Sequence, residues 1–418
     1  MAQLTTALNF CRLLKTPDRL TEVITGYVTS LALPAPKHTL SFAAEVTGFH
    51  KSAFSRLLQG HSELARQTLL ALSQEIAREL ASRHEPLVPD APWTAALIID
   101  ATLHGRSSLH VQNSQRFNHG EGFVIGHQWT NLVLVIAGEV VPLPPIPFLS
   151  KSECRRRGLM YKTEHEHVTH FLKSLDLTAW LGRYDAHEIV VLMDAGYDNK
   201  AIENAVLDRG WDFVVSLKSH RGAKTVHQDQ RVRRGPFQKI KELFRRVKRQ
   251  APWETVRITT PAARKKKRRQ LRVRRIEGYL KGICCPVVLL CSKKSRGKGY
   301  MYMACSNLML STRSIVIAYT CRWKIELFHR AAKNNLGMLD AGLVQFDSMK
   351  SHVHWVYCAY LLLGRMASTE GITARQKCLQ QQQKTGQLKI ILQLSTRFQG
   401  ATQVRSHCHE AIRDIQAA

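Results

Sequence analysis

Residues 187–194, HEIVVLMD, hold a short apolar run closed by a carboxylate. A run this brief and this rich in β-branched residues predicts a strand buried on both faces, as in the middle of an α/β sheet. Asp194 then sits at the mouth of that strand. Upstream, TAALIID (94–100) repeats the pattern and ends in Asp100. GFVIGHQWTNLVLVI (122–136) and EVVPLPPIPF (139–148) predict two further strands, and about Thr163 to Leu181 a helix. Downstream, Asn199 to Asp208 predicts a helix, with Asp198 as its cap, and WDFVVSLK (211–218) another strand. Three strands, helix, strand, helix, strand is the order of an α/β core with a mixed sheet.

That order is specifically RNase H-like. In such a sheet the strands of Asp100 and Asp194 lie side by side and their ends converge. An acid behind an apolar run loses water and needs compensation, for which a metal ion is a natural partner. For either Asp alone, starting a turn or capping a helix is the ordinary alternative.

The flanks differ in character. Residues 1–88 read as a helical N-terminal region. Within it, LSFAAEVTGFHKSAFSRLLQG (40–60) has a helix-turn-helix pattern. Ala43 to Val46 forms its first helix, Thr47-Gly48 the turn and Ser52 to Leu58 the second helix, with Lys51, Ser52, Ser55 and Arg56 available to a DNA groove. EPLVPDAPW (85–93), with three prolines, predicts a linker. The core's first part spans 89–218, and 219–310 reads as a basic β-rich insertion. Between Arg231 and Arg275 there are 19 Lys and Arg against two acids, densest in ARKKKRRQLRVRR (263–275). Set among strand patterns (TVRITT, CCPVVLLC, YMYMAC), this predicts a positive surface held for a phosphate backbone; an exposed, self-repelling loop is the plainer reading. Residues 311–370 return to helix, and 371–418 form a polar C-terminal tail, a candidate for dimerisation.

Charge points the same way. Lys and Arg total 61 against 32 acids, a net +29, and nucleic acid is the usual polyanion that neutralises such an excess. No apolar run is long enough to span a membrane. The first twenty residues lack the basic start and apolar stretch of a signal peptide. Ten cysteines, several inside apolar runs, suit a reducing cytoplasm.

A third carboxylate connects these observations. At about 100° per residue, a helix starting at Tyr319 gathers Arg322, Glu326 and Lys333 on one face, with His329 at its edge. Ile325, Phe328, Ala332 and Leu336 fall on the opposite, core-facing side. Tyr319-x-x-Arg322-x-x-x-Glu326-x-x-x-x-x-x-Lys333 resembles the Tyr–Arg–Glu–Lys signature of a large family of bacterial insertion-sequence transposases. LIIDATL and VVLMDAGYDN resemble that family's first and second Asp motifs. The resemblance covers about 94–370, and the basic run at 264–275 matches no motif.

The resemblance implies a DDE transposase of the hairpin-forming, cut-and-paste type. Asp100, Asp194 and Glu326 would be catalytic and would hold two Mg²⁺, or Mn²⁺, for in-line phosphoryl transfer. Tyr319, Arg322 and Lys333 would contact DNA, and Trp323 could stack on an extruded base, although a core position is the ordinary fate of a Trp. His329 would contact DNA or pair with Glu326. The implied partners are double-stranded DNA, as transposon ends and target, and a second copy in a synaptic dimer. Two alternatives stay open: an RNase H-like nuclease or resolvase without strand transfer, and a non-catalytic, transposase-derived DNA-binding protein. HEHVTH (165–170), Cys284-Cys285 and His407-Cys408-His409 lack zinc-site spacing.

Overall fold

A computed structural model describes residues 17–33, 35–106, 110–226, 236–260, 267–293 and 299–368. The cluster at 407–409 and the tail from 371 lie outside these residues. Among the described residues four helices come first: α1 (Asp18–Ala32), α2 (Leu40–Thr47), α3 (Lys51–Gly60) and α4 (Ser62–Ala81). Then follow β1 (Ala95–Gly105), β2 (Gln115–His119), β3 (Gly122–Ile136), β4 (Glu139–Pro142) and β5 (Ile146–Pro147). Helices α5 (Lys151–Arg156), α6 (Glu164–Ser174) and α7 (Thr178–Leu181) lead to β6 (Ile189–Met193), α8 (Lys200–Leu207) and β7 (Asp212–Leu217).

The core sheet is RNase H-like. β4 and β5 pair antiparallel with β3, β3 antiparallel with β1, β1 parallel with β6, and β6 parallel with β7. β6 is buried along its whole length, as its unbroken apolar run requires. The β1–β6 register runs from Ala95 opposite Ile189 to Ile99 opposite Met193. The next residues on the two strands are Asp100 and Asp194. The register thus brings the two acids together at one point of the sheet.

Several local expectations are corrected. β1 does not end at Asp100 but continues to Gly105, because its polar second half pairs with an equally polar half of β3. The helix expected over Thr163 to Leu181 is two helices, broken where Leu175 turns to extended backbone. Asn199, not Asp198, caps α8, accepting from Ala201 N at 2.8 Å. The Asp198 carboxylate instead pairs with Arg221 at 3.1 Å and accepts from Lys218 N. The proline-rich stretch 85–93 is packed in place. Val88 and Trp93 are fully buried, and Trp93 donates its indole N–H to Asp212 at 2.8 Å.

The segment 219–310, in its described residues, extends the same sheet. It comprises β8 (Gly222–Thr225), β9 (Gln238–Lys239), α9 (Ile240–Arg246), β10 (Glu254–Thr260), β11 (Lys267–Leu280), β12 (Val287–Lys293) and β13 (Tyr300–Cys305). β13 pairs antiparallel with β7, so thirteen strands form one sheet among the described residues. The basic run is put to mixed use. Arg272 and Arg274 lie over the Trp253 ring, whereas Arg275 donates to the Leu308 and Leu310 carbonyls.

The chain returns in α10 (Thr312–Cys321), α11 (Trp323–Asn334) and α12 (Phe346–Ser368). α12 packs against α1, α3 and α4, which joins the N-terminal helices to the core. In the helix-turn-helix pattern, Gly48 adopts φ +75° after α2, a left-handed conformation that glycine takes without Cβ strain. Phe54, Leu57 and Leu58 turn inward from α3, while Lys51 and Arg56 are exposed and Ser52 and Ser55 half-buried. No helix among the described residues is long and apolar enough to cross a membrane.

Candidate active site

α11 lies over β1 and carries the third acid. Its inner face is apolar: Ile325, Phe328, Ala332 and, just beyond the helix, Leu336 are fully buried. Burying an apolar stripe on the sheet turns the opposite stripe toward the site. Tyr319 and Lys333 do not share one uninterrupted helix. The chain tightens at Arg322, where Arg322 N bonds Tyr319 O and Ile325 N bonds Arg322 O. All four signature residues nevertheless gather near the acids, each half-buried.

Arg322 stands between two of the carboxylates. Its Nη1 lies 3.5 Å from Asp100 Oδ2 and 3.6 Å from Glu326 Oε1. Burial is the main influence on Asp100 and pushes its carboxyl up to about 7; Arg322 opposes the rise, while Asp194 and Glu326 add to it. Lys333 is lowered by burial, with Glu326 and Asp100 pulling the other way. Tyr319 is raised by burial and sits within reach of Arg322, Ser216 and Asp194. These mutual influences place Asp100, Asp194 and Glu326 in one electrostatic neighbourhood.

The set able to share a cation has a different membership from the expected one. Among the described residues it is Asp100, Glu326 and His329, whose ligand atoms lie within 4.8 Å of one another. Two carboxylates and an imidazole are a chemically suitable donor set for a divalent ion. Asp194 stands beside this set. Its Oδ1 accepts from Gly196 N at 2.8 Å, capping the short turn Ala195–Tyr197.

Several contributors went unread in the sequence. Asn131 lies opposite Asp100 on β3 and is buried. Its amide bonds His329 Nε2 at 3.0 Å and accepts from the Tyr357 hydroxyl at 2.6 Å. His329 neither meets solvent nor pairs with Glu326 in the expected way. Burial, then Lys333 and Arg322, push it down to about 3, so the ring is neutral. The only sequence signal for Asn131 is an amide at the point where the polar half of the strand, His127 to Thr130, gives way to the apolar run from Leu132. Glu164 accepts from Gln128, Thr130 and Tyr197, and His165 Nε2 bonds Gly196 O at 2.9 Å. Together they fasten the 194–199 loop to α6. Trp323 is 56% exposed, so it is not a core residue.

An RNase H-like sheet with acids on two adjoining central strands and on the helix laid across them defines the class of phosphoryl-transferring nucleases and transposases. Residues 161–362, just under half of the chain, match the family model for the transposase DDE domain. The match takes in Asp194 and Glu326; Asp100 lies upstream of it. No curated protein matches the chain.

Proposed function

We propose that this protein is a DNA transposase that excises and inserts an element by cut-and-paste phosphoryl transfer. The observation that carries this reading is the meeting of Asp100, Glu326 and Arg322 at one point of an RNase H-like sheet, with Asp194 beside Asp100 by the register of the neighbouring strand. The divalent ions held by Asp100, Asp194 and Glu326, Mg²⁺ with Mn²⁺ as a substitute, would activate the attacking oxygen and stabilise the leaving one.

The chain's own residues do the rest. Arg322 and Lys333 bring positive charge to the acids, where a terminal phosphate of the element would arrive. Tyr319 offers its hydroxyl to the same phosphate. The exposed Trp323 presents a ring on which an extruded base can stack, which eases the tight bend of a hairpin end. Water first frees a 3′-hydroxyl. That hydroxyl attacks the opposite strand to close a hairpin, a second water opens it, and the freed 3′-hydroxyl attacks target DNA. Each step is an in-line displacement at phosphorus, so one set of side chains serves all of them. Lys51, Ser52, Ser55 and Arg56 on α3 read the ends. Two copies synapse the ends inside the cell that hosts the element.

The test is Asp194→Ala in the full chain. Nicking of an end-bearing duplex, hairpin formation and strand transfer should all vanish, while end binding in a gel-shift assay persists. Cleavage that survived the substitution would reject the assignment. Cleavage without strand transfer by the unaltered protein would point to a nuclease or resolvase.

A further inference from the structure

We infer that His329 gives a nitrogen ligand to the cation shared by Asp100 and Glu326, which makes this pocket prefer Mn²⁺ to Mg²⁺. The inference rests on the metal site proposed above and adds a residue and an ion preference to it. Three observations carry it. The first is the donor set, in which a His329 ring nitrogen lies within 4.8 Å of an Asp100 and a Glu326 oxygen. The second is spacing. Glu326 and His329 are three residues apart on α11, and a Glu-x-x-His pair on one helix face is a recurring way to present an oxygen and a nitrogen to one ion. The third is the anchoring of the ring from behind.

That anchor is a buried chain of Tyr357, Asn131 and His329. As placed, Tyr357 donates to Asn131 Oδ1, and Asn131 Nδ2 meets His329 Nε2. Turning the Asn131 amide over reverses the chain. His329 Nε2–H then donates to Oδ1, and Nδ2–H donates to the Tyr357 oxygen. The first sense pairs every group of the chain; the second keeps the His329 Nε2–H and the Asn131 amide paired and leaves the Tyr357 hydroxyl as an acceptor. In the first, Nδ1 carries the proton. In the second, Nδ1 offers a lone pair. The ring can therefore accept a cation while its Nε2–H and the Asn131 amide stay hydrogen-bonded, as ligating histidines commonly are.

Ion preference follows from the donors. Mg²⁺ favours oxygen ligands and holds its waters, whereas imidazole suits transition ions. The Asp100–Asp194 side offers carboxylate oxygens alone. The two sides of Asp100 are thus unequal, with the His329 side selecting Mn²⁺.

The test is pulsed electron spin-echo spectroscopy on the full chain loaded with Mn²⁺, without DNA, together with Mn²⁺ and Mg²⁺ binding titrations. The spectrum should carry the nitrogen modulation of a coordinated imidazole. That signal should disappear in His329→Gln and in Glu326→Gln, each checked by circular dichroism for an intact fold. His329→Gln should also weaken Mn²⁺ binding by roughly tenfold or more and change Mg²⁺ binding much less. Bound Mn²⁺ with no nitrogen signal in the unaltered protein would overturn the inference while leaving the metal site standing. A nitrogen signal that persisted in His329→Gln would overturn it too, since another histidine would be its source, and one that persisted undiminished in Glu326→Gln would show that the ion is not shared with Glu326. Should His329→Gln not fold, the unaltered protein and Glu326→Gln still decide. If Mn²⁺ binding were absent, or unaffected by Asp100→Asn, the proposed metal site itself would fall.

Discussion

Asp100 is the residue on which pH should act most visibly. Its raised carboxyl keeps a proton in the fold that an unfolded chain has already released. Stability from this group is therefore present at low pH and falls as pH rises from about 4 to about 7. A bound divalent ion reverses the sign, because it favours the ionised form. Metal-free thermal melts from about pH 5 to about pH 8 should show the unaltered protein losing stability relative to Asp100→Asn. Mg²⁺ or Mn²⁺ should restore it in the unaltered protein alone. A difference that ignored pH would count against the buried carboxyl. Gly196 provides a second residue-level test. A Cβ there would stand 2.9 Å from Asp194 Oδ1, the oxygen that caps the following turn. Gly196→Ala should displace that carboxylate and lower metal-dependent cleavage about as much as removing it, with the melting temperature little changed. Full activity in Gly196→Ala would show that the cap has slack.

At the scale of elements, α11 is held by its apolar stripe. Phe328 is fully buried and meets Tyr357 and Tyr360 edge-on, with ring centroids 4.7 and 4.9 Å away. Phe328→Ala should cost roughly 3–5 kcal/mol in denaturant unfolding, through lost transfer energy and the cavity left behind. A cost below about 1 kcal/mol would mean that the helix is not seated as described. The strands β1, β3, β6 and β7 were legible because each is an apolar run that only burial can satisfy. The second half of β1 was not, because residues such as Thr102 and His104 look like loop until Trp129 and His127 of β3 lie opposite them. Glu326 was legible from fixed spacing on one helix. The Asn131–His329–Tyr357 chain was not, because its bonds join residues 198 and 226 positions apart. Local pattern carries no information about such pairings. The break at Arg322 also escaped notice, since Arg is an ordinary helix residue and nothing in its neighbours signals a tightened turn.

On the scale of the whole molecule, the net charge of +29 sets how binding responds to salt. Each DNA phosphate neutralised releases counterions, so affinity should fall steeply and linearly on a log–log plot of salt. Replacing exposed Lys51 and Arg56 on α3 together by Ala should reduce that slope by about two. An unchanged slope would place DNA elsewhere than on α3. The single sheet has a further consequence, this one for synthesis. β7 is complete once Leu217 has been made, yet its outer neighbour, β13, begins only at Tyr300. Until that strand emerges from the ribosome, a nascent chain displays a free apolar edge along Asp212–Leu217, the kind of surface that recruits other strands. Slowed translation through the basic stretch between them would lengthen that exposure and make the newborn polypeptide depend on a holding chaperone.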